Sequence, residues 1–332
     1  MKKIVIIGGG SWGTTLANLL IDNGNDVLIY DNNKACVNEI NTSHTNVSKL
    51  GEISLPEKLK ATYDLAEAVN FSDLIVLAVP TAVSRIVLKE INIYLHEKKL
   101  FCNVSKGLEL VTHKRVSEIV ADEINSDYIK GFVTLSGPSH AEEVILRKIT
   151  SIVAASKDLK SAKIIQKIFS NQYLRVYTSN DLIGVELSGS LKNIFAIASG
   201  IVDGLGYGIN TKAALITRGL VEMKRIASTF GAETKTLDGL VGVGDLIVTC
   251  TTKLSRNYSA GVLIGEGTDL KHTLSEINMV VEGVKTCKSA YNLSKELNLK
   301  TPIIDAIYNI LYEESLPTEE IAKLMSRKLI DE

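Results

Sequence analysis

One lysine lies inside a long apolar stretch of the sequence. Residues 181–207 read as a buried helix, and Lys192 lies near the middle of it. At 3.6 residues per turn, its neighbours on the helix are mostly small, which leaves room for a ligand beside the amine. Such a lysine either extends to solvent along its own stem or donates and accepts a proton. The other motifs of the chain favour proton transfer.

A second lysine, Lys106, follows the strand predicted at residues 100–104. Ligands of doubly wound sheets bind beyond the carboxyl ends of the strands, so Lys106 is expected where the reactive end of a coenzyme lies. The alternative is an ordinary surface lysine.

The strand predicted at residues 131–135 runs into a segment that contains Gly137 and Ser139. Ser139 and Glu142 have the spacing of a capping box, which predicts that Ser139 starts a helix. A helix N-terminus at a strand end can also donate hydrogen bonds to hydroxyl or phosphate oxygens. His140, which has no evident partner in the sequence, is interpreted as structural.

Two segments of the second half contain further polar groups. Residues 239–249 are predicted to form a loop in which Asp245 follows three closely spaced glycines. Its carboxylate can cap a helix, or it can orient a nearby lysine. Ser255, Arg256 and Asn257 stand together before an apolar helix, where a guanidinium and free N–H groups could bind a phosphate. A charged surface turn is the alternative.

A glycine motif near the N-terminus predicts dinucleotide binding. Gly8, Gly10 and Gly13 form GxGxxG between a strand predicted at residues 4–7 and a helix predicted at residues 14–23. These glycines permit a tight turn, close approach of a pyrophosphate, and packing of the helix against the strand. A glycine-rich turn without a ligand is the alternative.

The coenzyme can be NAD or NADP. Asp31 ends the strand predicted at residues 26–30, where a carboxylate can accept hydrogen bonds from the adenosine ribose, which favours NAD. NADP would require the carboxylate to turn away and Lys34 to supply positive charge. The sequence leaves both coenzymes open.

The predicted elements indicate two domains. Strands and helices alternate up to about residue 180, which predicts an α/β fold with a Rossmann-type doubly wound sheet over residues 1–180. An all-α substrate domain is predicted over residues 181–332, with a cleft between the two. Its helices are predicted at residues 181–203, 211–230, 257–264, 273–278, 283–297, 302–315 and 317–328.

Composition excludes several classes of partner. With 37 basic and 38 acidic residues among 332, the chain has no overall field to attract nucleic acid or an anionic membrane, so the expected ligand is a small molecule. The four cysteines lack the spacing of a metal site and are expected to be reduced core residues. The longest uncharged apolar run covers ten residues, about half of a membrane span. No metal site, no membrane span, no signal peptide and a cytoplasmic location are therefore expected.

The sequence resembles the NAD(P)-dependent glycerol-3-phosphate dehydrogenases of the soluble prokaryotic type over nearly its whole length. Eight ordered motifs, which are hard to produce by chance, match the family: residues 8–13 (GGGSWG), 103–109 (NVSKGLE), 135–142 (LSGPSHAE), 184–193 (GVELSGSLKN), 204–210 (GLGYGIN), 239–249 (GLVGVGDLIVT), 255–257 (SRN) and 282–283 (EG).

The resemblance implies roles for individual residues. Lys192 would be the proton acceptor, and Lys106 would contact both substrate and coenzyme, with Asp245 completing the catalytic set. Contacts with glycerol phosphate are implied for Gly137, Ser139, Asp245, Ser255, Arg256 and Asn257, and contacts with the coenzyme for Ser11, Trp12, Ala141, Arg256, Val280 and Glu282.

Three positions depart from the family pattern. His140 replaces an aromatic residue, Ile209 replaces an acidic residue, and Asn32 stands where a basic residue often meets the 2′-phosphate of NADP. Asn32 and Asp31 together weaken the inference to NADP, whereas the other two leave the expected chemistry unchanged.

The expected reaction interconverts sn-glycerol 3-phosphate and dihydroxyacetone phosphate, a source of glycerol 3-phosphate for phospholipids. In oxidation Lys192 must be neutral, and both burial and a second cation, Lys106, would favour the neutral form. Two other functions stay open: a hydroxyacid dehydrogenase acting on an unphosphorylated carboxylate, and a nucleotide-sensing protein without catalysis. The sequence does not determine the oligomeric state, and a homodimer is among the states it allows.

Overall fold

The computed structural model describes residues 1–277 and 280–329, and the chain divides into two compact units. Unit 1 consists of Met1–Lys106 and Lys114–Glu186. Unit 2 consists of Gly107–His113 and Leu187–Glu332. The predicted boundary at residue 180 stays a prediction.

Unit 1 is built on one eight-stranded sheet. Its strands are β1 (Lys3–Ile7), β2 (Asp26–Tyr30), β3 (Lys60–Thr62), β4 (Leu74–Leu77), β5 (Lys99–Asn103), β6 (Ile129–Ser136), β7 (Thr150–Ala155) and β8 (Leu174–Ser179). Their order is β3-β2-β1-β4-β5-β6-β7-β8, and only β6 and β7 pair antiparallel. The predicted doubly wound α/β fold is confirmed, whereas β3 and the antiparallel pair were not predicted.

The helices of unit 1 cover the sheet. They are α1 (Ser11–Asp22), α2 (Lys34–Thr42), α3 (Val47–Leu50), α4 (Leu65–Phe71), α5 (Thr81–Ile93), α6 (Val116–Glu123), α7 (Ala141–Val144) and α8 (Leu159–Phe169), with a 3₁₀ turn at Ser126–Tyr128. Strand β1 shows why both faces need helices. Ile4 and Ile6 belong to one buried cluster, and Val5 and Ile7 belong to another.

The glycine motif starts α1 earlier than predicted. Helix α1 begins at Ser11 rather than Thr14, because Gly10 is the extended N-cap residue and its carbonyl accepts a hydrogen bond from Thr14 N at 2.9 Å. Gly13 therefore lies within α1, where an added Cβ would be 2.0 Å from the carbonyl oxygen of Gly8.

After β8 the described chain is helical, as predicted. The α-helices are α9 (Leu182–Gly204), α10 (Ile209–Thr229), α11 (Thr234–Leu237), α12 (Asp245–Cys250), α13 (Arg256–Gly265), α14 (Leu270–Ile277), α15 (Glu282–Glu296), α16 (Pro302–Tyr312) and α17 (Pro317–Met325), with a π-helical turn at Leu240–Gly244. The helix predicted at residues 273–278 corresponds to α14, and its last predicted residue lies outside the described residues.

Helix α9 carries Lys192 and is almost entirely buried. Among the described residues it is the one helix long and apolar enough to cross a membrane, and all of its most apolar window is buried inside the protein. That burial is typical of the core helix of a folded domain. The sequence predicted this helix but measured only its uncharged run of ten residues, because Glu186 and Lys192 interrupt the apolar segment.

The start of α9 is anchored within unit 1. Glu186 is buried, and its carboxylate accepts hydrogen bonds from Arg115 Nη1 at 3.1 Å and from Ser117 N at 2.9 Å. Burial raises the pKa of Glu186, and the Arg115 guanidinium opposes that shift. Because an unpaired carboxylate would be costly here, these contacts fix the first turns of α9.

Within unit 2, α9 and α13 touch through glycines. Gly200 and Gly204 of α9 face Gly261 and Gly265 of α13, and both pairs have a spacing of four residues. A Cβ added to Gly200 would lie 2.0 Å from Tyr258 O, and one added to Gly261 would lie 2.1 Å from Ile197 O. The two helix backbones are thus in direct contact.

A third helix start joins this contact. An added Cβ at Gly283, in the first turn of α15, would lie 2.6 Å from Asn193 O and 2.8 Å from Asn257 Oδ1. Asn193 directly follows Lys192 in α9, and Asn257 lies in the first turn of α13. Glycines therefore bring α9, α13 and α15 together beside the buried lysine.

We predict that Gly261→Ala destabilises the protein by about 3 kcal/mol, because the methyl group would overlap a backbone carbonyl. The sign of the stability change is diagnostic, because alanine in an unhindered helix is more stabilising than glycine by about 1 kcal/mol. Urea unfolding monitored by circular dichroism measures the change. Gly208→Ala is the control, because no atom lies within 4 Å of the added Cβ, and it should cost no more than about 1 kcal/mol through the loss of a favourable N-cap residue. An unaltered or raised stability of Gly261→Ala would contradict the packing.

Glu222 of α10 caps another helix of unit 2. Its carboxylate accepts hydrogen bonds from Ile303 N at 2.8 Å and Ile304 N at 3.1 Å, in the first turn of α16. Burial raises the pKa of Glu222 from 4.5 to about 7, although these two hydrogen bonds act in the opposite direction. The folded state therefore binds a proton more tightly than the unfolded state.

We predict a pH-dependent contribution of Glu222 to stability. It is fully present below pH 4.5 and is lost as the pH rises through about 7, because the folded state must then hold a buried charge. Unfolding free energies measured at about pH 5 and about pH 8 should differ less in Glu222→Gln than in the wild type. Glu276→Gln, at an exposed position, should leave the wild-type difference unchanged. An equal difference in Glu222→Gln and the wild type would contradict the assignment.

Candidate active site

The buried lysine of α9 has two polar partners in unit 2. Lys192 Nζ lies 2.6 Å from Asp245 Oδ1 and 2.5 Å from Thr249 Oγ1. The side chains of Lys192 and Asp245 are only 6% and 1% exposed. Lys192 therefore does not extend to solvent, and its charge is balanced inside the protein.

The local backbone explains how Asp245 reaches the lysine. The predicted loop at residues 239–249 is wrong: the segment forms the π-helical turn followed by α12, which begins at Asp245. Glycine is required at position 242, where a Cβ would lie 1.8 Å from Leu237 O. Thr249 lies one turn after Asp245 and its hydroxyl donates to Asp245 O at 2.5 Å.

The end of α12 is tied directly to α9. Ser199 Oγ donates a hydrogen bond to Cys250 O at 2.7 Å, and both residues are buried. Burial raises the pKa of the Cys250 thiol to about 12. Cys250 is therefore a neutral packing group next to the charged pair, and the four cysteines of the chain are all free thiols.

The segment Ser255–Asn257 forms the N-cap and the first two residues of α13, which begins at Arg256, one residue earlier than predicted. Ser255 is the N-cap residue, and its hydroxyl accepts a hydrogen bond from Tyr258 N at 3.3 Å. Asn257 Oδ1 accepts from Gly283 N at 2.8 Å, which directs the amide NH₂ group away from that contact. Arg256 is exposed. This turn offers a guanidinium, an amide donor and the N-terminal end of a helix, a suitable combination for a phosphate.

Three predicted site residues of unit 1 meet at one carbonyl group. Lys106 Nζ and Ser139 Oγ each donate a hydrogen bond to Gly137 O at 3.0 Å. The predicted helix start at Ser139 is wrong, because α7 begins at Ala141 with His140 as its N-cap residue. Ser139 instead closes the turn after β6, in which Gly137 has a φ of 142°.

The glycine-rich turn of unit 1 fits a dinucleotide. Gly8 has a φ of 118°, and no atom lies within 4 Å of a Cβ added to Gly10. The N-cap residue Gly10 has no side chain that could accept hydrogen bonds from the first N–H groups of α1. Those N–H groups are therefore presented to this open space. A pyrophosphate would bind there through the N–H groups and the positive end of the helix dipole.

Asp31 and Lys34 lie beside that turn. Asp31 Oδ2 accepts a hydrogen bond from Gly9 N at 2.7 Å, and its Oδ1 accepts from Asn33 N at 2.8 Å. Each carboxylate oxygen can accept a further hydrogen bond, so a ribose hydroxyl can still bind. Lys34 Nζ lies 4.9 Å from the centroid of the Tyr63 ring.

The remaining predicted coenzyme residues occupy both units. In unit 1, Ser11 Oγ donates to Lys49 O at 2.9 Å, Trp12 packs against the core, and Ala141 is the first residue of α7. In unit 2, Val280 is exposed and Glu282 is the first residue of α15.

Within each unit the structure brings predicted residues together. Lys192 pairs with Asp245 in unit 2, and Lys106 joins Gly137 and Ser139 in unit 1. That Lys106 acts on the same substrate as Lys192 stays a prediction. Thr249 was missed, although its spacing of four residues from Asp245 would have indicated a shared helical face if α12 had been recognised.

The facing glycines of α9 and α13 were also missed. Their signal was available as two GxxxG spacings, Gly200 with Gly204 and Gly261 with Gly265. Which two helices these glycines would join could not be read from spacing alone.

Comparisons with known proteins agree on one family. Models of the N-terminal and C-terminal parts of NAD-dependent glycerol-3-phosphate dehydrogenase match residues 3–162 and 181–322. The chain is 49% identical to glycerol-3-phosphate dehydrogenase (NAD(P)+) of Staphylococcus haemolyticus and 50% identical to that of Staphylococcus aureus, in each case over 98% of both chains. It also superimposes on the glycerol-3-phosphate dehydrogenase of Coxiella burnetii with a TM-score of 0.94 and 36% identity, over 98% of this chain and 99% of the other.

We predict that Asp245→Asn lowers the free energy of unfolding by about 3–5 kcal/mol, because it removes the counter-charge that lies 2.6 Å from the buried Lys192 ammonium. Chemical denaturation measures the loss. Asp238→Asn is the matched control, since Asp238 forms a more exposed ion pair with Lys224 at 2.5 Å in the same unit, and it should cost less than about 1 kcal/mol. Equal, small effects in both variants would contradict a buried charged pair.

Proposed function

The chain belongs to the NAD(P)-dependent glycerol-3-phosphate dehydrogenase family, and from this premise we propose its reaction and the roles of its residues. It interconverts sn-glycerol 3-phosphate and dihydroxyacetone phosphate, and so supplies glycerol 3-phosphate for phospholipid synthesis. The observation that carries the residue assignments is the buried cluster of Lys192, Asp245 and Thr249.

Lys192 is the proton donor when the ketone is reduced. The Asp245 carboxylate, 2.6 Å away, stabilises the ammonium form and so opposes the effect of burial, which favours the neutral amine. The proton moves from Nζ to the carbonyl oxygen at C2 as hydride reaches C2, so that the C2 oxygen becomes a neutral hydroxyl group. In the reverse direction the neutral amine of Lys192 accepts that proton.

Asp245 and Thr249 position the amine. Each accepts one hydrogen bond from Nζ, and these two contacts hold the ammonium group in the orientation from which it donates to the substrate oxygen. After proton transfer, the carboxylate favours renewed protonation of Lys192. Asp245 and Thr249 therefore orient the proton donor, and the Asp245 carboxylate favours its return to the protonated form.

The substrate phosphate binds at the first turn of α13. Arg256 supplies a bidentate cation, while Ser255 and Asn257 supply polar groups beside the helix N-terminus. Fixing the phosphate places C2 relative to Lys192, which lowers the entropic part of the barrier. Roles in substrate binding are also proposed for Gly137, Ser139 and Lys106 of unit 1, from the resemblance to the family.

A nicotinamide coenzyme supplies or accepts the hydride. The open turn at Gly8, Gly10 and Gly13 holds its pyrophosphate, and Asp31 or Lys34 meets the adenosine ribose according to whether NAD or NADP binds. Further contacts come from Ser11, Trp12, Lys106, Ala141, Arg256, Val280 and Glu282.

The proposal includes a cytoplasmic location and a homodimer. Four free cysteines suit a reducing compartment, and a two-fold dimer is the commonest assembly of soluble enzymes. The exposed side chains of Leu146 and Ile149 are candidates for a subunit contact.

The test follows the absorbance of NADH and NADPH separately in the presence of dihydroxyacetone phosphate. Wild-type protein should oxidise at least one of them, and Lys192→Met should lower kcat by about a thousandfold, because general acid catalysis is lost. Coenzyme binding, measured by fluorescence, should change little.

Lys224→Met is the control, because Lys224 also pairs with an aspartate of unit 2 but lies near the surface. It should retain wild-type turnover. Near-normal turnover by Lys192→Met would show that another group transfers the proton. Consumption of neither coenzyme by the wild type would refute the proposed reaction itself.

A further inference from the structure

Two side chains of unit 2 converge on the carboxylate of a third, Asp203, which the proposed mechanism does not use. Asp203 lies near the end of α9, Lys212 in the first turn of α10, and Tyr258 in the first turn of α13. Asp203 Oδ2 accepts hydrogen bonds from both Lys212 Nζ and Tyr258 OH. Lys212 Nζ also lies 5.3 Å from the centroid of the Tyr258 ring. We refer to these three residues as the Tyr258 brace.

The brace is a buried polar network. Tyr258 and Lys212 are 6% and 8% exposed, whereas the Asp203 side chain is 28% exposed. Burial and the adjacent carboxylate raise the pKa of Tyr258 to about 12, so the phenol keeps its proton and donates throughout the neutral range. A buried lysine and a buried hydroxyl are each costly without a partner, and Asp203 satisfies both.

Tyr258 is held at several points at once. Its hydroxyl binds Asp203, its backbone N–H donates to the Ser255 hydroxyl, and its carbonyl oxygen lies against Gly200 of α9. Arg256 and Asn257 lie between Ser255 and Tyr258 in the chain. The contacts of Ser255 and Tyr258 therefore fix the orientation of the helix turn on either side of Arg256 and Asn257.

We propose that the Tyr258 brace positions the phosphate-binding turn, and so determines how strongly the enzyme prefers a phosphorylated substrate. The proposal rests on the proposed function, because it assigns the substrate phosphate to residues 255–257. The Tyr258 hydroxyl donates its hydrogen bond to Asp203, a residue outside the proposed catalytic set. The brace should therefore affect phosphate binding and leave proton and hydride transfer unchanged.

A purely structural brace is the alternative, and unit 1 offers a matched control for it. There, Tyr173 OH donates to Asp22 Oδ2 at 2.8 Å, and Arg147 Nε pairs with the same carboxylate at 2.9 Å. The pKa of Tyr173 is likewise raised to about 12, first by burial. Removal of the hydroxyl from each tyrosine thus breaks the same kind of contact, next to the phosphate turn in one case and within the coenzyme unit in the other.

The experiment compares Tyr258→Phe with Tyr173→Phe in the intact chain. For Tyr258→Phe, KM for dihydroxyacetone phosphate and the inhibition constant of inorganic phosphate should both rise about tenfold, equivalent to about 1.4 kcal/mol of binding free energy. Turnover at saturating substrate, KM for the coenzyme and the slow reduction of unphosphorylated dihydroxyacetone should not change. Tyr173→Phe should leave all of these constants at the wild-type values.

Two results would overturn the proposal. One is an unchanged KM and an unchanged inhibition constant in Tyr258→Phe. The other is an equal loss with dihydroxyacetone, which would assign the brace to folding or chemistry rather than to the phosphate.

A second variant covers the case in which Tyr258→Phe does not fold. Asp203→Ala combined with Lys212→Met removes the acceptor of the tyrosine hydroxyl together with both charges, so that the contact is broken without leaving a buried lysine unpaired. It should raise the same two constants, and unchanged constants would again overturn the proposal. Wild-type protein that fails to reduce dihydroxyacetone phosphate would refute the proposed function, an outcome distinct from either of these.

Discussion

The contact between the backbones of α9 and α13 determines the rest of the helical unit. Only glycine fits where Gly200 and Gly204 meet Gly261 and Gly265, because any Cβ would overlap a carbonyl oxygen or the facing backbone. This contact fixes the distance between the helix that carries Lys192 and the helix that begins with Arg256. Gly283 brings a third helix start against the same place and orients Asn257. The proposed proton donor and the proposed phosphate-binding turn are thereby held on rigid elements rather than on loops.

The buried pair of Lys192 and Asp245 is better explained by chemistry than by stability. Replacing a buried ion pair with apolar residues of similar volume is often neutral or stabilising, so a fold gains little from burying one. The pair instead holds a buried ammonium group in one orientation, through the contacts of its Nζ atom with Asp245 and Thr249. That arrangement suits a group that must give up a proton to a ketone and recover it.

The sequence predicted the architecture better than it predicted the contacts. The apolar strands and the GxGxxG spacing identified the doubly wound sheet, because these patterns are local and follow directly from strand and turn geometry. The segment before Asp245 was predicted as a loop, since three glycines disfavour a regular helix, yet packing against Leu237 selects a π-helical turn there. Ser139 has the spacing of a capping residue, but its hydroxyl binds Gly137 O and the helix begins later. Tertiary contacts decided both cases, and no local pattern contains them.

A crystal structure of the protein with a nicotinamide coenzyme and dihydroxyacetone phosphate tests the central claim most directly. The account predicts that Lys192 Nζ lies about 2.6–3.2 Å from the C2 oxygen of the substrate while it keeps its contacts with Asp245 and Thr249. It also predicts that the phosphate lies at the first turn of α13, against Arg256 and Asn257. A C2 oxygen bound by another side chain, or a phosphate bound away from that turn, would contradict the account.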